Sequence, residues 1–164
     1  MKTIPISQDL TAIIDDEDFA RVSPFKWYAS VRRRKDGTIY TIYAFRKYRR
    51  EDGKRSIQML HRFILGITDP QINVDHEDHN GLNCRRQNMR VATETQNQGN
   101  RRKQKSSSQF KGVTWYGRKS KWQSQIRFEG KQKHLGYFNS EIDAAKAYDV
   151  AARKQFGEFA LVNF

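Results

Sequence analysis

Residues 121–128 alternate strictly, with Trp122, Ser124, Ile126 and Phe128 on one side and Gln123, Gln125 and Arg127 on the other. Successive side chains of a strand point to opposite faces, so one face here is largely apolar and the other entirely polar. Strand signals on both sides extend the pattern to three strands, 110–116, 121–128 and 131–138. Turn residues stand between them at 117–120 and at Glu129 and Gly130. The period then lengthens to that of a helix. Ile142, Ala145, Tyr148, Ala152 and Phe156 form one stripe, Ser140 can cap the start with Asp143 three residues on, and Gly157 supplies a stop. The small Ala144, Ala145, Ala147, Ala151 and Ala152 let such a helix lie close to a sheet. A three-stranded sheet backed by one helix leaves the Gln/Arg face open.

The N-terminal third predicts a β-meander. Residues 38–48 are rich in Ile, Tyr and Thr, and their partners are expected at 26–34 and 54–59. Asp36-Gly37 and Asp52-Gly53 predict type I′ hairpin turns. Further along, Arg90-Val91-Ala92-Thr93 followed by Gln96-Asn97 predicts a strand running into a helix capped by Thr93. Residues 99–109, GNRRKQKSSSQ, contain no apolar side chain and are expected to form a flexible basic linker.

Charge sharpens the picture. The 164 residues carry 31 Lys+Arg against 18 Asp+Glu, a formal +13. Counted by segment, 31–55 holds +7 and 101–139 holds +10, so everything else together is −4. The chain is only 37% hydrophobic with a mean hydropathy of −0.91, yet aromatics reach 12%, too many for a disordered polybasic tail. A lone Cys84 excludes an intramolecular disulfide and a four-cysteine zinc module. With no long apolar run and no signal-peptide core in residues 1–9, an intracellular polyanion binder is expected. Arg32, Arg33, Arg34, Arg46, Lys47, Arg49 and Arg50 admit two readings, a solvated sheet face or phosphate contact. Few acidic residues intersperse to neutralise them, which favours the second.

The residues able to do chemistry lie between the two basic blocks. Asp75 and His76 are adjacent, Asn88 follows 12 residues after His76, and Asn97 nine residues later. Phosphodiester hydrolysis needs a base to activate water and a cation to stabilise the phosphorane and the leaving oxygen. A neutral imidazole suits the first task, and a site of one carboxylate and one amide oxygen suits Mg²⁺. Taken alone these four residues are a weak signal. From the spacing alone, Asp75-His76 is more often a surface or hydrogen-bonding pair than a catalytic one, and Asn97 reads also as an ordinary exposed helix residue.

The order of motifs is more specific than its parts. Leu60-His61-Arg62, then Val74-Asp75-His76, then Asn80-Gly81-Leu82-Asn83, then Asn88-Met89-Arg90, then Ala92-Thr93 and Thr95-Gln96-Asn97 resemble the HNH homing endonucleases of phages and mobile introns. That resemblance implies a ββα-metal motif in which His76 is the general base and Asp75 a ligand of Mg²⁺, with Mn²⁺ as a substitute. Asn97 is then the second metal ligand, and Asn88 ties the loop together and orients His76. His79 is open to three readings, a substitute proton carrier, a phosphate contact or a loop residue, with the loop placed first, and His61 is expected to pack or hydrogen-bond near the site rather than to catalyse.

Residues 110–164 are similar to the AP2 domain of plant transcription factors. FKGVTWYGRKSKWQSQIR, then HLGYF, then SEIDAAKAYDVAARKQFGEFALVNF carry the likeness. It implies a sheet face laid in the DNA major groove. Lys111, Thr114, Tyr116, Gln125 and Arg127 stand at contact positions, Arg118 or Lys119 near a groove-facing Trp of the family, and Lys121 beside them. Thr114 and Gln125 replace the Arg and Glu of the plant domains, so the target sequence does not transfer. Gln and Arg remain the side chains suited to bidentate readout of adenine and guanine.

The sequence therefore predicts an α+β chain in three parts. A β-meander with an HNH nuclease domain is expected over 1–98, the linker over 99–109 with Arg101, Arg102 and Lys103 on DNA, and an AP2-like domain over 110–164. The expected partner is double-stranded DNA, with no membrane, in a monomer or weak dimer located in a bacterial or phage-infected cytoplasm. One active site per chain implies nicking of one strand, or double-strand cutting only as a dimer. The rival expectation is a non-catalytic AP2-type DNA-binding regulator. An RNA binder is disfavoured because the second sheet lacks the paired stacking aromatics of an RRM.

Overall fold

The computed structural model describes residues 1–103 and 105–164; Gln104, within the expected linker, lies outside the described residues. The chain is mixed α+β with several small antiparallel sheets and few helices. It divides into two compact units, Met1–Val91 and Ala92–Phe164.

In the first unit, β1 (Lys2–Ile6) and β2 (Leu10–Ile14) form an antiparallel hairpin that the sequence reading did not anticipate. Its signal is the period-two burial of Ile4, Ile6, Ala12 and Ile14. A short helix α1 (Phe19–Val22) leads to the meander β3 (Tyr28–Arg33), β4 (Ile39–Arg49) and β5 (Arg55–Met59), all antiparallel, with β4 central. Helix α2 (Leu60–Leu65) and the paired strands β6 (Asn73–His76) and β7 (Met89–Ala92) complete the elements. Ile4, Ile6, Ile14, Val22, Trp27, Leu60, Ile64 and Met89 share one core. Trp27 is 2% exposed and its indole N–H donates to the Val22 carbonyl at 3.0 Å, so the ring is buried without an orphaned donor.

The two hairpins of the meander correct the type I′ expectation. Only Gly37 and Gly53 have positive φ (82° and 77°), whereas Asp36 and Asp52 do not. Arg34 N–H bonds the Thr38 carbonyl and Arg50 N–H the Lys54 carbonyl, which closes three-residue loops rather than two-residue ones. The aspartates act through their side chains instead, accepting the amides of Thr38 and Lys54 at 3.0 Å each. Glycine in the left-handed position is what a three-residue loop requires.

The second unit opens with α3 (Glu94–Gly99). Thr93 accepts from the Gln96 amide and the Gln96 side chain returns to the Thr93 amide, a reciprocal capping box. Strands β8 (Val113–Tyr116), β9 (Lys121–Phe128) and β10 (Lys131–Phe138) form an antiparallel sheet in the order β10-β9-β8, and helix α4 (Glu141–Phe156) packs on it. Ala144, Ala145, Tyr148, Ala152 and Phe156 face the sheet. Ile142, expected in that stripe, is 49% exposed because it falls on the opposite side of the first turn. Gly112 has φ +78°, and a Cβ there would stand 1.9 Å from Tyr148 Cδ2, so the sheet and helix meet at van der Waals distance only because this residue has no side chain.

Residues 106–108, read from sequence as linker, are bonded into the second unit. Ser107 Oγ accepts the Trp115 amide at 2.7 Å, and Ser108, 4% exposed, donates to Glu141 Oε1 at 2.6 Å. A serine run reads as flexible from composition alone, but each hydroxyl here has found a fixed partner.

Candidate nuclease site and basic cleft

Asp75 and His76 end β6, and both are 5% exposed. The loop that follows folds back on itself through polar side chains. Asn88 Oδ1 accepts the Asp78 amide at 3.1 Å, while its Nδ2 donates to Asp78 Oδ1 at 3.0 Å and to the Asn83 carbonyl at 2.8 Å. The Asn88 carbonyl also accepts the Glu77 amide at 3.0 Å, and the His76 carbonyl accepts from His79 N–H at 3.0 Å. His79 has φ 62° at this turn. Asn88 therefore joins both ends of the loop beside His76.

Two further anchors hold this loop from outside. Ile13 on β2 donates to the Leu82 carbonyl and accepts the Cys84 amide, both at 2.8 Å. Arg86 forks onto Asp18, with Nε to Oδ2 at 2.9 Å and Nη2 to Oδ1 at 2.8 Å, and Asp18 is only 1% exposed. Gly81 sits so close to β4 that a Cβ there would lie 2.5 Å from the Ile42 carbonyl and 2.6 Å from the Tyr43 ring. The glycine of the Asn80–Asn83 motif thus has a packing reason that the spacing could not disclose.

The environment of His76 is aromatic. Its ring lies 5.2 Å from that of His61, edge to face, and 5.8 Å from that of Tyr43. Burial lowers the His76 imidazole below its ordinary range, against the opposing pull of Asp78 and Asp75. Burial likewise drives His61 down to about 3, helped by His76 and Arg62. For Asp78, burial would raise the carboxyl, but donation from Asn83, the Asn80 amide and Asn88 outweighs it and holds the group low. The arrangement offers a neutral imidazole at neutral pH beside the ionised Asp78 carboxylate.

Asp75 has a partner that the sequence reading missed. Arg90 on β7 brings both Nε and Nη2 to Asp75 Oδ2 at 2.9 Å. The available signal was an acidic and a basic residue on two short strands that pair. Among the described residues no group of three His, Cys, Asp or Glu could hold a metal by side chains alone. A single buried carboxylate fits a hard divalent ion that keeps water and phosphate for most of its coordination, as Mg²⁺ does. Asn97 lies in the other unit, half-buried on α3, where its amide N–H bonds the Thr93 carbonyl.

In the second unit the structure gathers many of the expected DNA contacts around one cleft of about 410 Å³. Arg101, Arg102, Lys103, Lys111, Thr114, Gln125 and Arg127 line it, together with Lys105, which the sequence reading had not singled out. Arg127 is exposed, and Gln125 is held by the Gln132 side chain. Lys111 differs from the rest. Its ammonium donates to the Gly99 carbonyl at 2.6 Å, and burial lowers it to about 8. Tyr116, Arg118, Lys119 and Lys121 lie outside this cleft, at the end of the sheet where the 3₁₀ turn 117–119 joins β8 to β9. There Lys119 caps the Tyr137 ring at 4.2 Å and Tyr116 lies 5.3 Å from the same ring. Tyr137 and His134, whose rings are 4.5 Å apart, are further aromatic groups on this sheet that sequence reasoning passed over.

Comparison with known proteins finds two kinds of relative. The chain is 36% identical over 109 residues to an uncharacterized HNH endonuclease of Acanthamoeba polyphaga mimivirus, covering 63% of this chain and 56% of that protein. It is 50% identical over 58 residues to APETALA2-like protein 2 of Oryza sativa, which covers 35% of this chain and 13% of that one. The AP2-like ethylene-responsive transcription factor TOE2 of Arabidopsis thaliana matches at the same identity over 12% of its length. One chain is similar to both. It spans about half the length of the viral relative and a small fraction of the plant ones. No protein-family model and no solved structure matches it. Among the described residues no helix is long and apolar enough to cross a membrane.

Proposed function

We propose that the protein is a metal-dependent, site-specific DNA endonuclease of the HNH homing type, carrying an AP2-like domain that docks it on duplex DNA. The observation that carries the reading is the buried Asp75-His76 pair on β6, with a loop locked by Asn88, in a chain similar to an HNH endonuclease. In this reading β6 and β7 are the strands of the ββα-metal motif and α3 is its helix. Residues 110–164 form the AP2-like sheet and helix.

His76 takes a proton from the water that attacks the phosphorus. Its lowered proton affinity keeps the imidazole neutral and able to accept at neutral pH. Asn88 keeps the loop, and with it the His76 carbonyl and ring, in one position. Asp75, and by resemblance Asn97, would hold Mg²⁺ or Mn²⁺, which when bound stabilises charge on the phosphorane and the departing oxygen. Arg101, Arg102, Lys103, Arg127, the exposed Arg118 and Lys119 and the half-buried Lys121 supply cations for phosphates, while Gln125 and Thr114 present hydrogen-bonding groups to base edges.

The 50% identity to the plant AP2-type proteins supports the rival, a non-catalytic DNA-binding regulator. A supercoiled-plasmid nicking assay separates the two. Endonuclease function requires conversion to the open circle with Mg²⁺, none with EDTA, and loss of cutting in His76→Ala with DNA binding retained. Binding without any metal-dependent nicking would establish the regulator.

A further inference from the structure

A carboxylate that is to receive a divalent ion is expected to await it with its charge uncompensated. Asp75 does not. It is 5% exposed, and two donors of Arg90, Nε and Nη2, converge on its Oδ2 at 2.9 Å. Arg90 is itself only 19% exposed, so the pair is shielded from bulk water and from screening by salt. The two residues stand on paired strands, β6 and β7, whose neighbours His76 and Asn88 belong to the same loop. The guanidinium is thus built into the site as rigidly as the carboxylate.

We infer that Arg90 is an internal counter-ion of the metal site, a positioning residue that neutralises Asp75 before an ion arrives and sets how tightly the ion is held. The inference rests on the reading of Asp75 as a metal ligand. Two consequences follow from charge and geometry. With Oδ2 engaged, the carboxylate plane is fixed before metal binds, which spares the site a reorganisation on loading. With a unit positive charge within hydrogen-bond distance of the ligand, the free protein attracts a divalent ion less strongly than a bare carboxylate would, and a phosphate that arrives with the DNA adds the missing negative charge. Metal occupancy is then coupled to substrate, and idle protein in a cell holds little metal.

The test measures metal binding, not cutting. Mn²⁺ affinity of the full chain without DNA is read by electron paramagnetic resonance of the free ion, and Mg²⁺ affinity by the shift of the melting temperature. Arg90→Gln removes the charge and keeps an amide donor. It is expected to bind Mn²⁺ at least about tenfold tighter than the unaltered protein and to gain more melting temperature on addition of Mg²⁺. Arg90→Lys keeps the charge and should retain an affinity within about twofold of the parent. Because Arg90→Gln strands a buried carboxylate, its fold is checked in EDTA. A variant that unfolds there and is restored by Mg²⁺ more strongly than Arg90→Lys also supports the inference. Unchanged or weaker Mn²⁺ affinity in folded Arg90→Gln overturns it, as does failure of metal to restore an unfolded one. Asp75→Asn separates the two levels: if the parent's Mn²⁺ binding survives that change, the metal-ligand reading itself is wrong and the inference falls with it.

Discussion

Lowering the pH from about 7.5 to about 4.5 should destabilise the first unit through His61 in addition to its carboxylates. His61 stands at the start of α2 with its Nδ1 shut away from water and no hydrogen-bond partner for it among the described residues. Its ring is fixed edge-on to Tyr43 at 5.5 Å and to His76 at 5.2 Å. The folded protein protonates it only near 3, whereas the unfolded chain does so at the ordinary 6.5. For a base whose folded value is depressed, the unfolded state binds the proton first. The penalty is therefore absent above 6.5 and grows as the pH falls toward 3. At about pH 4.5 the unfolded side gains two units of protonation, or ~2.7 kcal/mol as an upper figure and about half that if water reaches the ring. The assay is urea unfolding followed by Trp27 fluorescence, in a background with Trp115→Phe and Trp122→Phe. His61→Phe keeps an aromatic ring against Tyr43 and His76 but cannot titrate, so every carboxylate contribution cancels in the comparison. The parent is expected to lose ~1.5–2.5 kcal/mol more than His61→Phe between the two pH values. Equal losses within about 0.5 kcal/mol would refute the claim that His61 is held neutral by burial.

Other expectations follow from the same geometry. Asp18→Ala should cost ~2–4 kcal/mol in the first unit, below the usual figure for a fully buried pair because the Arg86 side chain is 41% exposed; a melting curve checks it. Asn88→Ala removes three loop hydrogen bonds, so amide exchange at residues 77–83 should accelerate at least about tenfold while the β3–β5 amides stay protected. Gly112→Ala should destabilise the second unit by at least ~2 kcal/mol, whereas Gly117→Ala, whose nearest neighbour is 4.0 Å from the new Cβ, should leave its melting temperature nearly unchanged. Replacing Arg101, Arg102, Lys103 and Lys105 together by Ala should reduce the slope of log affinity against log salt by up to about 3.6 on duplex DNA; an unchanged slope would remove the cleft from the DNA interface.

The second unit was legible because its signals are local. The alternation in 121–128 became β9 residue for residue, Thr93 and Ser140 cap the helices expected of them, and Gly157 ends α4 with φ 55°. These features depend on neighbours within a few positions, which a sequence displays directly. Ile142 went astray because a stripe is read modulo the helical period, and Ile142 stands on the side of the first turn opposite the buried Ala144. The candidate site was legible as an order of residues but not as a geometry. Nothing in the spacing of Asp75 and Arg90 states that they meet, and the resemblance places His61 near the site without showing that its ring stands edge to face with that of His76. Those contacts arise from pairing of β6 with β7 and from α2 packing on β4, both tertiary events. The serine run misled for the converse reason: its composition is that of a linker, and only Glu141 and Trp115, distant in the chain, show otherwise.

The loop that follows the candidate base His76 is fastened by residues near the other end of its unit, at Ile13, Asp15 and Asp18. Asp15 Oδ2 takes the Arg86 amide at 2.8 Å across 71 positions. Contacts of such long sequence separation close late, after the entropy of the intervening chain has been overcome. During synthesis β1 and β2 can pair locally, but their bonds to the loop wait until residue 86 has left the ribosome. A nascent or half-folded chain therefore has the histidine but not the frame that aims it. On the proposed function, a fusion or truncation that disturbs the first 18 residues would silence a centre some 60 residues away.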